Sequence, residues 1–532
     1  MNWFLIIITV VIAILVLLVS LYLVVHFQHP EDRNQAWLPK LVVLLGFSVA
    51  FWTILLFPLD VANQQACDFD VPLSSCSTMP MKELWYAMYI ANMAIVFIAV
   101  PFCIFYYEAD SEWSVFRRYL SGFLWALGTV FVVGMLIGIP YAFVGYAEYD
   151  VQGAVSGLLP VSYLEDPSYN YSRCIGLFAS YDQEANRPIR GGPGRGANES
   201  LASGGYFCDT FSNTVANEVW KVRVSIIVYA MAVVATLGWI LFLVFGGIGL
   251  VALPIDWIRE FIRRPKATIT RSQYIDRARD LARRAKDILA LGDALRQEER
   301  ERGRSWRWRR NIKALNTQLL VLEEDEEQLE LVYPQSEDPD YKWVLTVMGF
   351  WLKFFGGLLG LAMSICWVLQ IILYILIDPP VTPLLNEVFI KANDAFPLFG
   401  TLLFGLFAFY LQLAVTKGNF KFGLNLLIFR VHPMRRGATI MSSFLFNVAL
   451  ILLATTASIQ FCATAFALYA DGTAVYDIFG NQLTSIMGLK YIYTENIFIY
   501  AMLAFMLLTL LFVLIRGPDR WKRTKLEDVY AM

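Results

Sequence analysis

From Phe4 to Val25 the chain is one apolar run without a charged residue. As a helix it is roughly 33 Å long at about 1.5 Å per residue, enough to cross a hydrocarbon core about 30 Å thick. No basic segment precedes it, it is too long for the apolar part of a signal peptide, and no small-residue cleavage site follows. It runs instead into His29-Pro30-Glu31-Asp32-Arg33. It is therefore expected to stay as a first membrane span. The same pattern recurs down the chain, so bilayer physics governs this fold.

Composition agrees: 57% of residues are hydrophobic and 17% charged, against about 25% charged in a soluble domain. Nine spans are expected, at about 4–25, 38–58, 83–106, 119–142, 222–250, 354–377, 396–415, 438–462 and 495–515. The fold class is an all-α polytopic membrane protein. Trp343 to Ile377 would be roughly 52 Å as one helix, so Lys353 is expected to split it, leaving 343–352 as an interfacial lead-in.

Orientation follows from where the cations fall. With the N-terminus outside, the inside loops hold Arg33 and Lys40; Arg117 and Arg118; and Lys417, Lys421, Arg430, Arg435 and Arg436. The tail adds Arg516, Arg520, Lys522, Arg523 and Lys525, while the short outside loops hold Lys82, Lys391 and Lys490. N-out, C-in is the expected topology. It places the sequons at Asn170 and Asn198 outside, as glycosylation requires. It also places Cys67 with Cys76, and Cys174 with Cys208, in outside loops 59–82 and 143–219. Two disulfides within those loops are the simplest pairing in an oxidising compartment. The other three cysteines, Cys103, Cys366 and Cys462, fall in spans.

The organisation reads as 1–254, spans one to five with the outside loops; 255–340, a cytosolic helical hairpin; 341–515, spans six to nine; and 516–532, a cytosolic tail. In the hairpin, Tyr274, Ala278, Leu281, Ala285, Ile288, Gly292 and Leu295 recur at 4,3 spacing. Ile312, Leu315, Leu319, Leu322 and Leu329 continue the spacing after a break near Arg302-Gly303. That is an antiparallel coiled coil. Residues 255–313 hold 18 Lys/Arg against 9 Asp/Glu, and 323–340 hold 9 Asp/Glu and no Lys/Arg, so folding back sets acid beside base. Arg259, Arg263, Arg264 and Lys266 follow the fifth span at once, and Trp306-Arg307-Trp308-Arg309-Arg310 interleaves rings with cations. Both clusters suit the anionic headgroups of the inner leaflet. The rest of the hairpin suits a protein partner. A near-neutral chain of net charge −2 carries no nucleic-acid footprint.

No catalytic constellation is present. There are three histidines, and no H-E-x-x-H, CxxC, Walker A or G-x-S-x-G motif. No enzyme activity, cofactor or metal is expected. The informative polar groups are the amides Gln370, Gln412, Asn447 and Gln460, which sit among apolar helices. They either bond neighbouring helices or line a solute path. Gly134-x-x-x-Gly138 and Gly356-x-x-x-Gly360 allow close helix approach, within the chain or in a homodimer.

With spans and loops laid out, the chain resembles the limb-region-like, or lipocalin-interacting membrane receptor (LIMR), family, and within it the plant and algal members. The matching residues are Asp60-Val61-Ala62-Asn63-Gln64-Gln65-Ala66-Cys67, Phe105-Tyr106-Tyr107-Glu108-Ala109-Asp110 and Pro265-Lys266-Ala267-Thr268-Ile269-Thr270-Arg271. Further on come Asn386-Glu387-Val388-Phe389-Ile390-Lys391, His432-Pro433-Met434, Ser443-Phe444-Leu445-Phe446-Asn447 and Gln460-Phe461-Cys462-Ala463-Thr464-Ala465-Phe466. The family's nine-span, N-out topology matches the reading above. The outside loop 143–219 departs from the family in its length and its Gly/Arg content. The resemblance implies a non-enzymatic receptor or trafficking escort of an endolysosomal, vacuolar or plasma membrane. The alternative is a transporter that moves a small solute through a polar path among spans six to eight.

Overall fold

The computed structural model describes residues 3–29, 32, 37–65, 79–109, 112–152, 174–175, 181–182, 187–188, 207–208, 217–265, 267–303, 306–333, 339–396, 398–421 and 439–516. Cys67, Cys76, Asn170, Asn198, Lys266 and His432 lie outside them, as do the side chains of Cys174, Cys208, Trp306 and Arg309. The first spans are α1 (Trp3–Phe27), α2 (Trp37–Gln65), α3 (Met81–Ala94, running on to Tyr107 through a π-helical turn) and α4 (Val115–Val144). After short strands come α5 (Ile226–Ile262), α6 (Arg271–Arg302), α7 (Trp306–Val332) and α8 (Pro339–Gln370), which runs on as a π-helical turn to Leu376. Then follow α9 (Leu384–Ala395), α10 (Phe399–Lys421), α11 (Met441–Ala465), α12 (Lys490–Thr494) and α13 (Ile497–Arg516). Among the described residues nine helices are long and apolar enough to cross a membrane: α1, α2, α3, α4, α5, α8, α10, α11 and α13.

Several boundaries differ from the sequence reading. Residues 222 and 223 end a strand, and the fifth span begins at Ile226. The sixth does not break at Lys353. Its ammonium bonds the Glu260 carboxylate at 2.6 Å, and a paired cation no longer forces the helix to end at water. The fifth span likewise runs past residue 250 to Ile262, so α5 and α8 both extend beyond the membrane-length segments expected of them.

The chain divides into two compact units. The larger holds Met1–Leu136, Met231–Asn481 and Ile492–Met532. Its centre is α11, in which 83% of the apolar window is buried, against 6% in α1. In lipid, apolar burial drives helices together only weakly, and close backbone approach decides packing. At Gly249 an added Cβ would collide with the Ala414 carbonyl, and at Gly418 with the Phe245 carbonyl, so α5 and α10 touch backbone to backbone through reciprocal glycines. Gly356 faces the Trp257 ring and Gly360 the Tyr410 ring, which gives that small-residue pair a role inside the chain. Gly134 and Gly138 have no atom within 4 Å of an added Cβ.

The hairpin belongs to this unit. Thr270 starts α6 with a capping box: its Oγ1 accepts from Gln273 N, and the Gln273 side chain accepts from Thr270 N. Gly303 ends α6 at φ +70°, a conformation that favours glycine. Helix α7 returns antiparallel: Tyr333 stacks on Tyr274, Asp325 pairs with Arg284 at 2.9 Å, and Trp308 Nε1 donates to Leu295 O at 3.0 Å. Leu291 and Leu295 are buried against Trp308, Ile312 and Leu315. Nearer the base, Ala278, Ala282 and Ala285 are too small to fill the seam and leave a cavity of about 240 Å³. Leu319 is 41% exposed, turned away from the seam its spacing suggested.

The smaller unit is Ile137–Ala230 with Gln482–Tyr491. Its frame is an antiparallel ladder, β1 (Tyr146–Gln152) on β6 (Asn217–Arg223), with Tyr146 opposite Arg223. Glu148 N donates to Ser485 O, and Met487 N to Tyr146 O. The two-residue strands β2 (Cys174–Ile175) and β5 (Phe207–Cys208) pair antiparallel with Cys174 opposite Cys208. Strands β3 (Tyr181–Asp182) and β4 (Arg187–Pro188) form a third pair.

In the full-length protein, Leu295→Ala is expected to cost about 2–5 kcal/mol of local hairpin stability, read as faster proteolysis at residues 296–311. Leu289→Ala, at a position 67% exposed, should leave cleavage unchanged.

Candidate functional site

Two regions concentrate polar atoms. The first lies among the spans. Gln370 Nε2 donates to Ala465 O at 2.8 Å, and its Oε1 accepts from Leu385 N at 2.9 Å. Asn386 Nδ2 reaches the same Ala465 carbonyl at 3.3 Å, and its Oδ1 accepts from Tyr469 N at 3.1 Å. Gln412 Nε2 donates to Thr455 Oγ1 at 2.7 Å, and Asn447 Nδ2 to Ser443 O at 2.8 Å. Gln460 Oε1 accepts from Trp239 Nε1 at 3.0 Å and from the Tyr493 hydroxyl at 3.2 Å. All four amides singled out in the sequence are buried. Each side chain is engaged with protein, three of them with another element and Asn447 with its own helix.

The structure adds partners that the sequence did not reveal. Asn393 uses its full capacity: Nδ2 donates to Gln65 Oε1 and Tyr469 Oη, both at 2.9 Å, and Oδ1 accepts from Gly400 N at 2.8 Å and Thr401 N at 3.3 Å. It thereby caps the start of α10. Burial pushes the Tyr469 and Tyr493 hydroxyls above the ordinary tyrosine range, so both stay protonated. Asp60 is buried near the end of α2 and accepts from Trp85 Nε1 at 2.9 Å, Val475 N at 2.8 Å and Ala474 N at 3.4 Å. At the other end of α2, Asp32 accepts from the Tyr107 hydroxyl at 2.7 Å and from Met441 N at 3.2 Å. A carboxylate at the N-terminus of α11 also favours the helix dipole.

The second region is an open cleft of about 800 Å³ where the end of α5, the base of the hairpin and α8 meet. Arg259, Arg263 and Arg264 line it from α5, Arg277 from α6 and Lys353 from α8; the acids Asp256, Glu260 and Glu327 stand among them. Some of these charges are spent. Lys353 holds Glu260 at 2.6 Å, and Lys417 and Lys421 hold Asp256 at 3.3 and 3.0 Å. Arg259 Nη2 donates to Val513 O at 3.3 Å, and Arg264 lies 3.7 Å over the Phe261 ring. Arg263 and Arg277 are exposed and form no ion pair among the described residues. The structure brings Arg259, Arg263 and Arg264 of the first basic cluster to this cleft; of the second, the described side chains of Arg307, Trp308 and Arg310 do not line it. At the hairpin tip Trp308 turns into the coiled-coil seam, while Arg307 and Arg310 are exposed.

Asp60→Ala leaves the Trp85 and Val475 donors without their acceptor, at about 1–3 kcal/mol each. Thermal unfolding of the purified protein should show that loss, with a smaller one for Asp60→Asn. By the same reasoning, Gln370→Leu should destabilise more than Gln412→Leu, because it also orphans Leu385 N.

The model of LMBR1-like membrane proteins matches residues 5–301 and 280–511. A LIMR family protein of Oryza sativa subsp. japonica is 42% identical, over 98% of this chain and 98% of its own. One of Arabidopsis thaliana is 41% identical, over 98% and 97%, and one of Dictyostelium discoideum 35%, over 98% and 99%. No solved structure matches. The nine apolar helices, the intervening hairpin and similarity along nearly its whole length place this chain in the LIMR family of multi-pass membrane proteins.

Proposed function

We propose that this chain is a non-enzymatic receptor or trafficking escort of an endolysosomal, vacuolar or plasma membrane, and that its hairpin docks a protein partner in the cytosol. The observation that carries this reading is the use made of Gln370, Gln412, Asn447 and Gln460. A solute path among spans six to eight would draw on those amides, and each is hydrogen-bonded within the protein, three of them to another element. The hairpin instead offers a long polar surface on two joined helices. The experiment sets spans against hairpin. Leu281→Pro in α6 costs about 3 kcal/mol or more by breaking the helix, and should abolish function in protein that still reaches its membrane. Gln460→Leu should fold with a small loss and keep function. The reverse pattern would favour the transporter.

In this reading the hairpin is cytosolic and the strand pairs face the lumen or exterior. The support is the distribution of Lys and Arg between loops and the register that sets Cys174 opposite Cys208, since antiparallel partners stand at the Cα separation a disulfide needs. A tag inserted at 303–305 should be reached by antibody only from the cytosolic side, and peptides holding Cys174 and Cys208 should co-elute until reduced. Lumenal labelling of the tag would overturn this topology.

A further inference from the structure

We propose that the cleft between α5, α6 and α8 binds the headgroup of a membrane lipid carrying more than one phosphate. Five cations, Arg259, Arg263, Arg264, Arg277 and Lys353, line it against three acids. The acids are in part neutralised from within: Glu260 by Lys353, and Asp256 by Lys417 and Lys421, which stand outside the lining. The positive surplus is thus larger than the lining alone implies. It is carried by Arg263 and Arg277, which come from different helices and form no ion pair among the described residues. A guanidinium presents a planar fork suited to phosphate oxygens. Two such forks on separate helices match a ligand with two phosphates better than one with a single charge. A volume of about 800 Å³ also exceeds what a lone phosphate fills.

The flank of the cleft selects a lipid over a soluble polyphosphate. Gly349, Phe350 and Lys353 line the cleft from α8. Beside them on the same helix, Met348, Leu352 and Phe355 are 61%, 76% and 60% exposed, and Ile262, next to Arg263, is 68% exposed. Acyl chains would cover that apolar surface while the headgroup sits among the arginines. This site lies beyond the receptor reading and does not depend on it, because the lipid is recognised by the cleft whatever the hairpin docks.

The full-length protein, purified and placed in phosphatidylcholine nanodiscs, would be titrated with a labelled short-chain bisphosphorylated phosphatidylinositol. Phosphatidylserine at matched charge and the free inositol phosphate headgroup serve as comparisons. The bisphosphorylated lipid should bind most tightly, and more weakly as salt rises. Arg263→Gln with Arg277→Gln should lower its affinity at least about ten-fold, a loss of about 1.4 kcal/mol. Arg279→Gln with Arg296→Gln removes two hairpin charges that are 70% and 79% exposed and should change little. Thermal unfolding checks that both variants fold, and Arg263→Lys with Arg277→Lys, which keeps the charge, should restore part of the binding. Equal loss in both Gln pairs would reduce the effect to diffuse attraction and overturn the site. Equal binding of phosphatidylserine would overturn the polyphosphate preference. Free headgroup binding as tightly as the lipid would overturn the assignment to a membrane ligand.

Discussion

A helix that ends inside protein and lipid must find partners for its last carbonyls among side chains, because there is no water to supply them. The carbonyl of Ala465, at the end of the central helix α11, is such a case. It accepts from Gln370 and from Asn386, and the oxygens of the same two amides accept from Leu385 N and Tyr469 N. Two side chains therefore hold the end of one span, the start of α9 and the segment after α11 in one register. At the opposite end Asp32 accepts from Met441 N. With α11 pinned at both ends, α2, α5 and α10 have a fixed surface to pack on, and their glycines set how close they come.

How much of this was legible depended on the range of the signal. Span existence is a local property of about twenty apolar residues, and the hairpin a local property of 4,3 spacing, so both could be read directly. The ladder of β1 on β6 was legible in principle. Val219, Trp220 and Val222 are residue types that favour strands, and the pairing partner of this segment lies about seventy residues upstream, at 146–152. In a local window Lys353 looks like a break, because its partner, Glu260, lies 93 residues away. Asn393 joining Gln65 to Tyr469, and Arg277 joining the cluster at the end of α5, are likewise long-range. Nothing in a local window identifies them.

The two polar regions differ in how their charge is used. Among the spans, the amides are neutral groups that bond to protein, and Gln412 Oε1 and Gln460 Nε2 are left without a partner among the described residues. In the cleft, full charges meet with only part of their attraction satisfied by one another. That contrast follows from depth. A neutral amide tolerates a low-dielectric interior once bonded, whereas an unpaired guanidinium persists only where water or headgroups reach it.

The central position of α11 also bears on the order in which this protein can be made. The helix is the eighth of nine apolar spans among the described residues, so α2 and α5 enter the bilayer long before their packing partner is synthesised. Hydroxyls in these two spans suit that wait. Ser48 donates to Leu44 O, Thr53 to Val49 O and Thr236 to Ala232 O, at 2.8, 2.7 and 2.8 Å. Each bond lies within its own helix, and none leaves an open donor facing lipid. Side chains that depend on a remote element include Gln370, Gln412 and Gln460 in the later spans, whose partners are already in place or about to arrive. Asp60 in α2, Asn92 in α3 and Trp239 in α5 are exceptions, since their partners Ala474 and Val475, Leu452 and Gln460 all emerge later. The hydroxyls of these early spans are thus satisfied on insertion, whereas Asp60, Asn92 and Trp239 gain those partners only when the later spans assemble around them.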